Sequence, residues 1–118
     1  MEFQKNKIID ELEKNGWRFD ISYIPEENWP YLEVISFKKS NTSIYLTFFK
    51  DPTSGYVYKQ LRGNKFKYSS GEFDALLYEN DPNLTDDAIK ISELNLGKGW
   101  ETKLSEFIAD SEKYYKKN

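Results

Sequence analysis

The chain has 118 residues, a formal net charge of −3, and neither histidine nor cysteine. The missing thiols exclude disulfides and thiol catalysis, and the missing imidazoles exclude Ser-His and Cys-His mechanisms together with the commonest metal ligand. The composition therefore indicates a protein that is not an enzyme and that uses no cofactor or metal.

A chain of this length is expected to form a single domain over residues 1–118. Residues 1–6 are polar, and no apolar run reaches the length of a signal-sequence core or a membrane span. We therefore expect a cytoplasmic protein with no membrane contact. The negative net charge argues against general nucleic-acid binding and favours a protein partner.

The N-terminal part of the chain predicts a helix and then a strand. Residues 2–15 have the pattern of a short amphipathic helix, and Gly16 suits the left-handed conformation that ends such a helix. Residues 17–24 alternate between apolar and polar, which predicts a half-buried strand. The residues expected on its buried face are Trp17, Phe19, Ile21 and Tyr23. Trp29, in the loop that follows, is expected to cover the edge of the core.

Two segments rich in β-branched and aromatic residues predict the central hairpin of an antiparallel sheet. They span residues 31–37 and 44–49. A two-residue loop at Ser40 and Asn41 would pair Phe37 with Ile44, whereas a three-residue loop would pair Val34 with Leu46. A one-residue slip exchanges the two faces of a strand, and the pattern fits either register. Because both faces carry apolar residues, a homo-oligomer formed through the sheet is also compatible with the sequence.

A second hairpin is predicted from residues 56–62 and 65–68, with Gly63 and Asn64 as its turn. A two-residue turn at this point would place Leu61 opposite Phe66. Residues 69–80 and 85–94 fit either a helix or a strand. Residues 100–115 carry one apolar stripe at helical spacing, which predicts a long C-terminal helix.

These elements together predict an α+β fold. We expect two layers, with an antiparallel sheet of four to five strands and with one helix at each end of the chain.

An acidic segment provides the first candidate site. Residues 72–93 contain seven acidic residues and one lysine. The candidate partner-binding residues are Glu72, Asp74, Glu79, Asp81, Asp86 and Asp87. Because an acidic surface attracts a basic partner, the segment predicts a protein-binding module. Its sharper form is a small acidic inhibitor of the immunity-protein or antitoxin type that covers a basic partner. The plainer interpretation is a solvated acidic face.

A basic and aromatic segment, residues 56–68, provides the alternative function of nucleic-acid binding. Basic side chains can follow phosphates while aromatic rings stack on bases. The candidate residues for this contact are Tyr58, Lys59, Arg62, Lys65, Phe66 and Lys67. The plainer interpretation is a pair of strands whose aromatic residues face the core and whose lysines face water.

Overall fold

The computed structural model describes residues 2–25, 31–49, 58–61, 65–68 and 73–118; of residues 31, 58–61 and 65–68 it describes only the backbone. The helices and strands follow in the order α1 (Glu2–Lys14), β1 (Arg18–Tyr23), β2 (Tyr31–Lys39), β3 (Thr42–Phe49), β4 (Tyr58–Leu61), β5 (Lys65–Tyr68), β6 (Asp74–Tyr78), β7 (Lys90–Asn95), a short 3₁₀ helix (Trp100–Lys103) and α2 (Leu104–Lys117).

Five of the strands form one antiparallel sheet in the order β1-β2-β3-β6-β7, while β4 and β5 pair separately. The predicted α+β fold with a helix at each end is therefore confirmed. Both segments that fitted either a helix or a strand contain strands, β6 and β7. The run Ala75, Leu76 and Leu77 is buried throughout, as expected of an interior strand that is covered on both faces.

The central hairpin adopts the register with a two-residue loop, in which Phe37 pairs with Ile44 and Ile35 with Leu46. This register also places Glu33 on the face that carries the core. Its carboxylate accepts a 2.9 Å hydrogen bond from the Lys5 ammonium of α1. That hydrogen bond raises the pKa of Lys5 above its ordinary value, against the opposing effect of burial. The half-buried Glu33 carboxylate is thus paired with a cation of the helix that packs on this face.

Both helices pack on the same face of the sheet, and the apolar core lies between the two layers. Its central members are Ile8, Leu12, Trp17, Ile35, Phe37, Ile44, Leu46, Phe48, Leu77, Leu94, Trp100, Leu104, Phe107 and Ile108. Full burial of each large apolar side chain contributes about 1.5–3 kcal/mol. The predicted C-terminal stripe thus faces the core, although its first turn is a 3₁₀ helix. We call the side of the sheet away from the helices the second face.

The end of α1 is fixed against the sheet by Lys39. Gly16 has φ 92°, as predicted for the residue that ends the helix, and a Cβ there would lie 3.2 Å from the Lys39 side chain. The Lys39 ammonium donates to the Asn15 carbonyl at 2.8 Å and to the Glu112 carboxylate at 2.6 Å. It also lies 4.4 Å from the centre of the Tyr115 ring. One cation therefore joins α1, β2 and α2.

The buried face predicted for β1 is wrong, because Phe19 and Ile21 are 54% and 60% exposed. Phe19 pairs with Phe37 but Ile21 pairs with Ser36, so Asp20 is an extra residue that forms a β-bulge. The bulge moves Ile21 and Tyr23 to the second face. The strand lies at the edge of the sheet, and every residue from Arg18 to Ser22 is exposed rather than half-buried.

The predicted pairing of the second hairpin is also wrong by one residue. Leu61 pairs with Lys65 rather than with Phe66, because three residues rather than two connect the strands. Trp29, predicted to cover the core edge, lies outside the described residues. In the described part of the chain, no helix has the length and apolar character needed to cross a membrane.

Candidate partner-binding surface

The structure gathers four of the six candidate acidic residues in one loop. Residues 79–89, which connect β6 to β7 and which we call the β6–β7 loop, contain Glu79, Asp81, Asp86 and Asp87 and no lysine or arginine. Asp74 begins β6, about 16 Å from Glu79 at the rise of an extended strand, and it accepts a hydrogen bond from Asn95. Glu72 lies outside the described residues.

Hydrogen bonds within the β6–β7 loop hold its backbone in consecutive turns. The Asp81 carboxylate accepts a hydrogen bond from the backbone amide of Asn83 at 2.8 Å. The Asp81 carbonyl accepts bonds from the amides of Leu84 and Thr85, each at 3.2 Å. The Thr85 hydroxyl oxygen accepts a bond from the Asp87 amide at 3.1 Å. Asp and Thr side chains commonly stabilise turns in this way. Residues 85–87, which fitted the start of a helix as well as a strand, thus form a turn.

A hydrogen bond between Tyr23 and Asp81 fastens this loop to the opposite edge of the sheet. The Tyr23 hydroxyl donates to the second oxygen of the Asp81 carboxylate at 2.5 Å and accepts from the Asn83 side-chain amide at 3.3 Å. Burial, and then the hydrogen bond to Asp81, raise the pKa of Tyr23 to about 12. Because β2 and β3 lie between β1 and β6, the loop must fold back across the second face.

The space under the loop confirms this placement. A small pocket of about 20 Å³ lies between the loop and the second face. Its lining residues are Ile21, Tyr23, Val34, Ser36, Tyr45 and Asp81. A volume of this size is close to that of one water molecule. The loop therefore lies directly on the sheet.

The four acids of the loop differ in their surroundings. The Glu79 carboxylate lies beside Tyr114 of α2, where burial and then the negative charge of Glu79 raise the pKa of the Tyr114 hydroxyl. Asp81 is engaged by Tyr23. Asp86 and Asp87 are exposed, and neither carboxylate has a hydrogen bond or ion pair among the contacts described. A partner can therefore reach Asp86 and Asp87 without breaking an internal contact.

The register of the second hairpin separates the residues proposed to contact nucleic acid. Lys59 pairs with Lys67, Leu61 with Lys65, Gln60 with Phe66 and Tyr58 with Tyr68. Because residues alternate between the faces of a strand, positions 59, 65 and 67 share one face of the hairpin. Positions 58, 66 and 68 share the other face. Lysine and aromatic positions thus do not interleave on one surface. Arg62 lies outside the described residues.

No sequence pattern indicates Tyr23 or Asn83 as parts of this surface. The alternation of residues 17–24 predicts Tyr23 on the core face, and only the bulge at Asp20 brings it to the loop. In the described part of the chain, no group of three or more acidic side chains could hold a metal ion. No protein-family model, no curated protein and no solved structure matches this chain.

Proposed function

We propose that this protein is a binding domain whose β6–β7 loop engages a basic protein. The observation that carries this proposal is the loop itself, which holds four acidic residues and no basic one. Unbalanced charge of this kind accelerates association with a partner of opposite sign and selects against partners of like sign. Asp86 and Asp87 are the residues that contact the partner.

The fixed conformation of the loop supports a role in binding. A loop that is already ordered loses less conformational entropy when a partner binds. The turns at Asp81 and Thr85 and the bond from Tyr23 supply that order. The two exposed carboxylates are therefore presented at a defined position before any encounter.

In its sharper form, the proposal is an inhibitor of the immunity-protein or antitoxin type that acts in the cytoplasm and covers a basic site on an enzyme. The small size of the chain, its net charge of −3, and the lack of histidine and cysteine support this form. An inhibitor requires a complementary surface but no reactive side chain.

Affinity capture from a lysate, with elution in steps of increasing salt, tests the proposal. We expect one basic protein to be retained stoichiometrically and released by salt. The variant Asp86→Asn/Asp87→Asn should no longer retain that protein on the affinity matrix. Its matched control is Asp10→Asn/Glu13→Gln, which removes the same charge from exposed positions of α1. Equal retention by both variants, or no retained protein, would reject the proposal.

The second candidate function is nucleic-acid binding by the hairpin of β4 and β5. The observation in its favour is the direct pairing of Lys59 with Lys67, since like charges opposite each other are unfavourable unless an anion lies between them. Lys59→Gln/Lys67→Gln should then weaken binding to single-stranded RNA and reduce its dependence on salt. Lack of RNA binding by the native chain at low salt would reject this function.

A further inference from the structure

Exposed large apolar side chains concentrate on two segments of the described chain. They are Phe3, Phe19, Ile21, Ile24, Leu84 and Ile89. All except Phe3 belong to β1, to the residue that follows it, or to the β6–β7 loop. These are the two segments that the Tyr23–Asp81 hydrogen bond joins. Apolar residues that stand alone are common on protein surfaces, whereas neighbouring ones mark binding sites.

Two of these residues, Ile21 and Leu84, lie within three residues of that bond along the chain. Ile21 lines the same small cavity as Tyr23 and Asp81. The amide of Leu84 donates to the Asp81 carbonyl at 3.2 Å, one turn further along the loop. The two side chains are 60% and 77% exposed. We call Ile21 and Leu84 the apolar patch.

The acidic residues identified above continue directly from this patch. Asp86 and Asp87 follow Leu84 in the same loop, and both are exposed. Protein interfaces commonly combine an apolar centre, which supplies most of the binding energy, with a charged rim that remains partly hydrated. Leu84, Asp86 and Asp87 supply both kinds of exposed side chain from one loop.

We propose that the apolar patch is the centre of the partner-binding surface, with Asp86 and Asp87 at its rim. Charge complementarity then defines the occupant as a protein surface with an apolar centre and with lysine or arginine side chains around it. This inference rests on the proposed function, because it takes the β6–β7 loop as the contact. It adds that charge alone does not account for the affinity.

Two synthetic peptides of equal length and charge test this inference. One consists of Lys-Lys-Leu repeats, and in the other serine replaces every leucine. Binding of each to the full chain is measured by fluorescence anisotropy at physiological ionic strength. We expect the leucine peptide to bind about tenfold more tightly, as burial of one or two apolar side chains provides.

Two variants identify the surface that prefers the leucine peptide. Leu84→Ser should remove most of the preference for the leucine peptide, and Phe3→Ser is its matched control because Phe3 is similarly exposed, at 66%, but lies on α1. Asp86→Asn/Asp87→Asn should weaken the binding of both peptides and leave the preference for the leucine peptide unchanged.

The outcomes separate this inference from the proposed function. Equal binding of both peptides to the native chain overturns the apolar centre but leaves the charge-based function in place. An equal loss of preference in Leu84→Ser and Phe3→Ser also overturns it, since the preference would then come from general apolar contact. If neither peptide binds, both the inference and the proposed function fail.

Discussion

The hydroxyl of Tyr23 donates a 2.5 Å hydrogen bond to the carboxylate of Asp81 across the second face of the sheet. Tyr23 ends an edge strand, and two strands separate it from β6, where the loop begins. The bond therefore holds the β6–β7 loop against the sheet. The positions of Leu84, Asp86 and Asp87 on the surface depend on this contact.

Replacement of Tyr23 by Phe removes this bond while keeping the ring. We expect the free energy of unfolding to fall by about 1.5–3 kcal/mol, the usual contribution of a hydrogen bond to a charged acceptor. We also expect faster hydrogen exchange at the amides of Leu84 and Thr85, measured by NMR. The matched control is Tyr115→Phe, which removes a hydroxyl that contacts Ser40 at 3.3 Å, away from the loop. Equal loop exchange in the two variants would show that Tyr23 does not hold the loop.

Alkaline titration provides a second test of the same bond. Burial and the bond to Asp81 raise the pKa of Tyr23 from 10.0 to about 12. Because the folded chain then holds the phenol proton more tightly than the unfolded chain does, this stabilisation is complete below pH 10 and is lost as the pH rises through about 12. In the ultraviolet absorbance of the folded protein, we expect a tyrosine ionisation near pH 12 that is missing from the titration of Tyr23→Phe. Ionisation of every tyrosine near pH 10 would contradict the structure.

Much of the fold could be predicted because its signals are local. The helices follow from apolar spacing, and the central hairpin follows from β-branched and aromatic runs around a short polar turn. The register of that hairpin could not be chosen from the pattern, because both faces carry apolar residues. Packing decides it, since only one register pairs Phe37 with Ile44 under the helices and brings Glu33 to Lys5.

The candidate surface could be predicted only in part. The acids of the β6–β7 loop are adjacent in sequence, so their clustering was visible. Tyr23 is 58 residues away from Asp81, and its position depends on the single extra residue Asp20. No periodic pattern indicates a bulge, and the alternation around it predicted the wrong face. The same reasoning applies to the second hairpin, where one added loop residue separates lysine from aromatic positions.

The contacts of Lys39 predict that its replacement lowers the free energy of unfolding more than replacement of an exposed lysine does. Lys39→Met leaves the Asn15 carbonyl and the Glu112 carboxylate without their donor, so we expect a loss of about 2 kcal/mol in the free energy of unfolding. Lys38→Met is the matched control, because its ammonium lies 3.7 Å from Asp20 in an exposed pair. That control should change stability by less than about 0.5 kcal/mol. Denaturant unfolding measures both, and equal values would contradict the central position given to Lys39.

Titration calorimetry of the captured basic protein tests the central claim most directly. The native chain and Asp10→Asn/Glu13→Gln should bind it with the same affinity. Asp86→Asn/Asp87→Asn should bind at least about tenfold more weakly, since lost charge contacts at an interface cost about 1.4 kcal/mol or more. The same variant should show a reduced dependence of Kd on salt. Unchanged affinity and unchanged salt dependence in that variant would contradict the assignment of the β6–β7 loop as the binding surface.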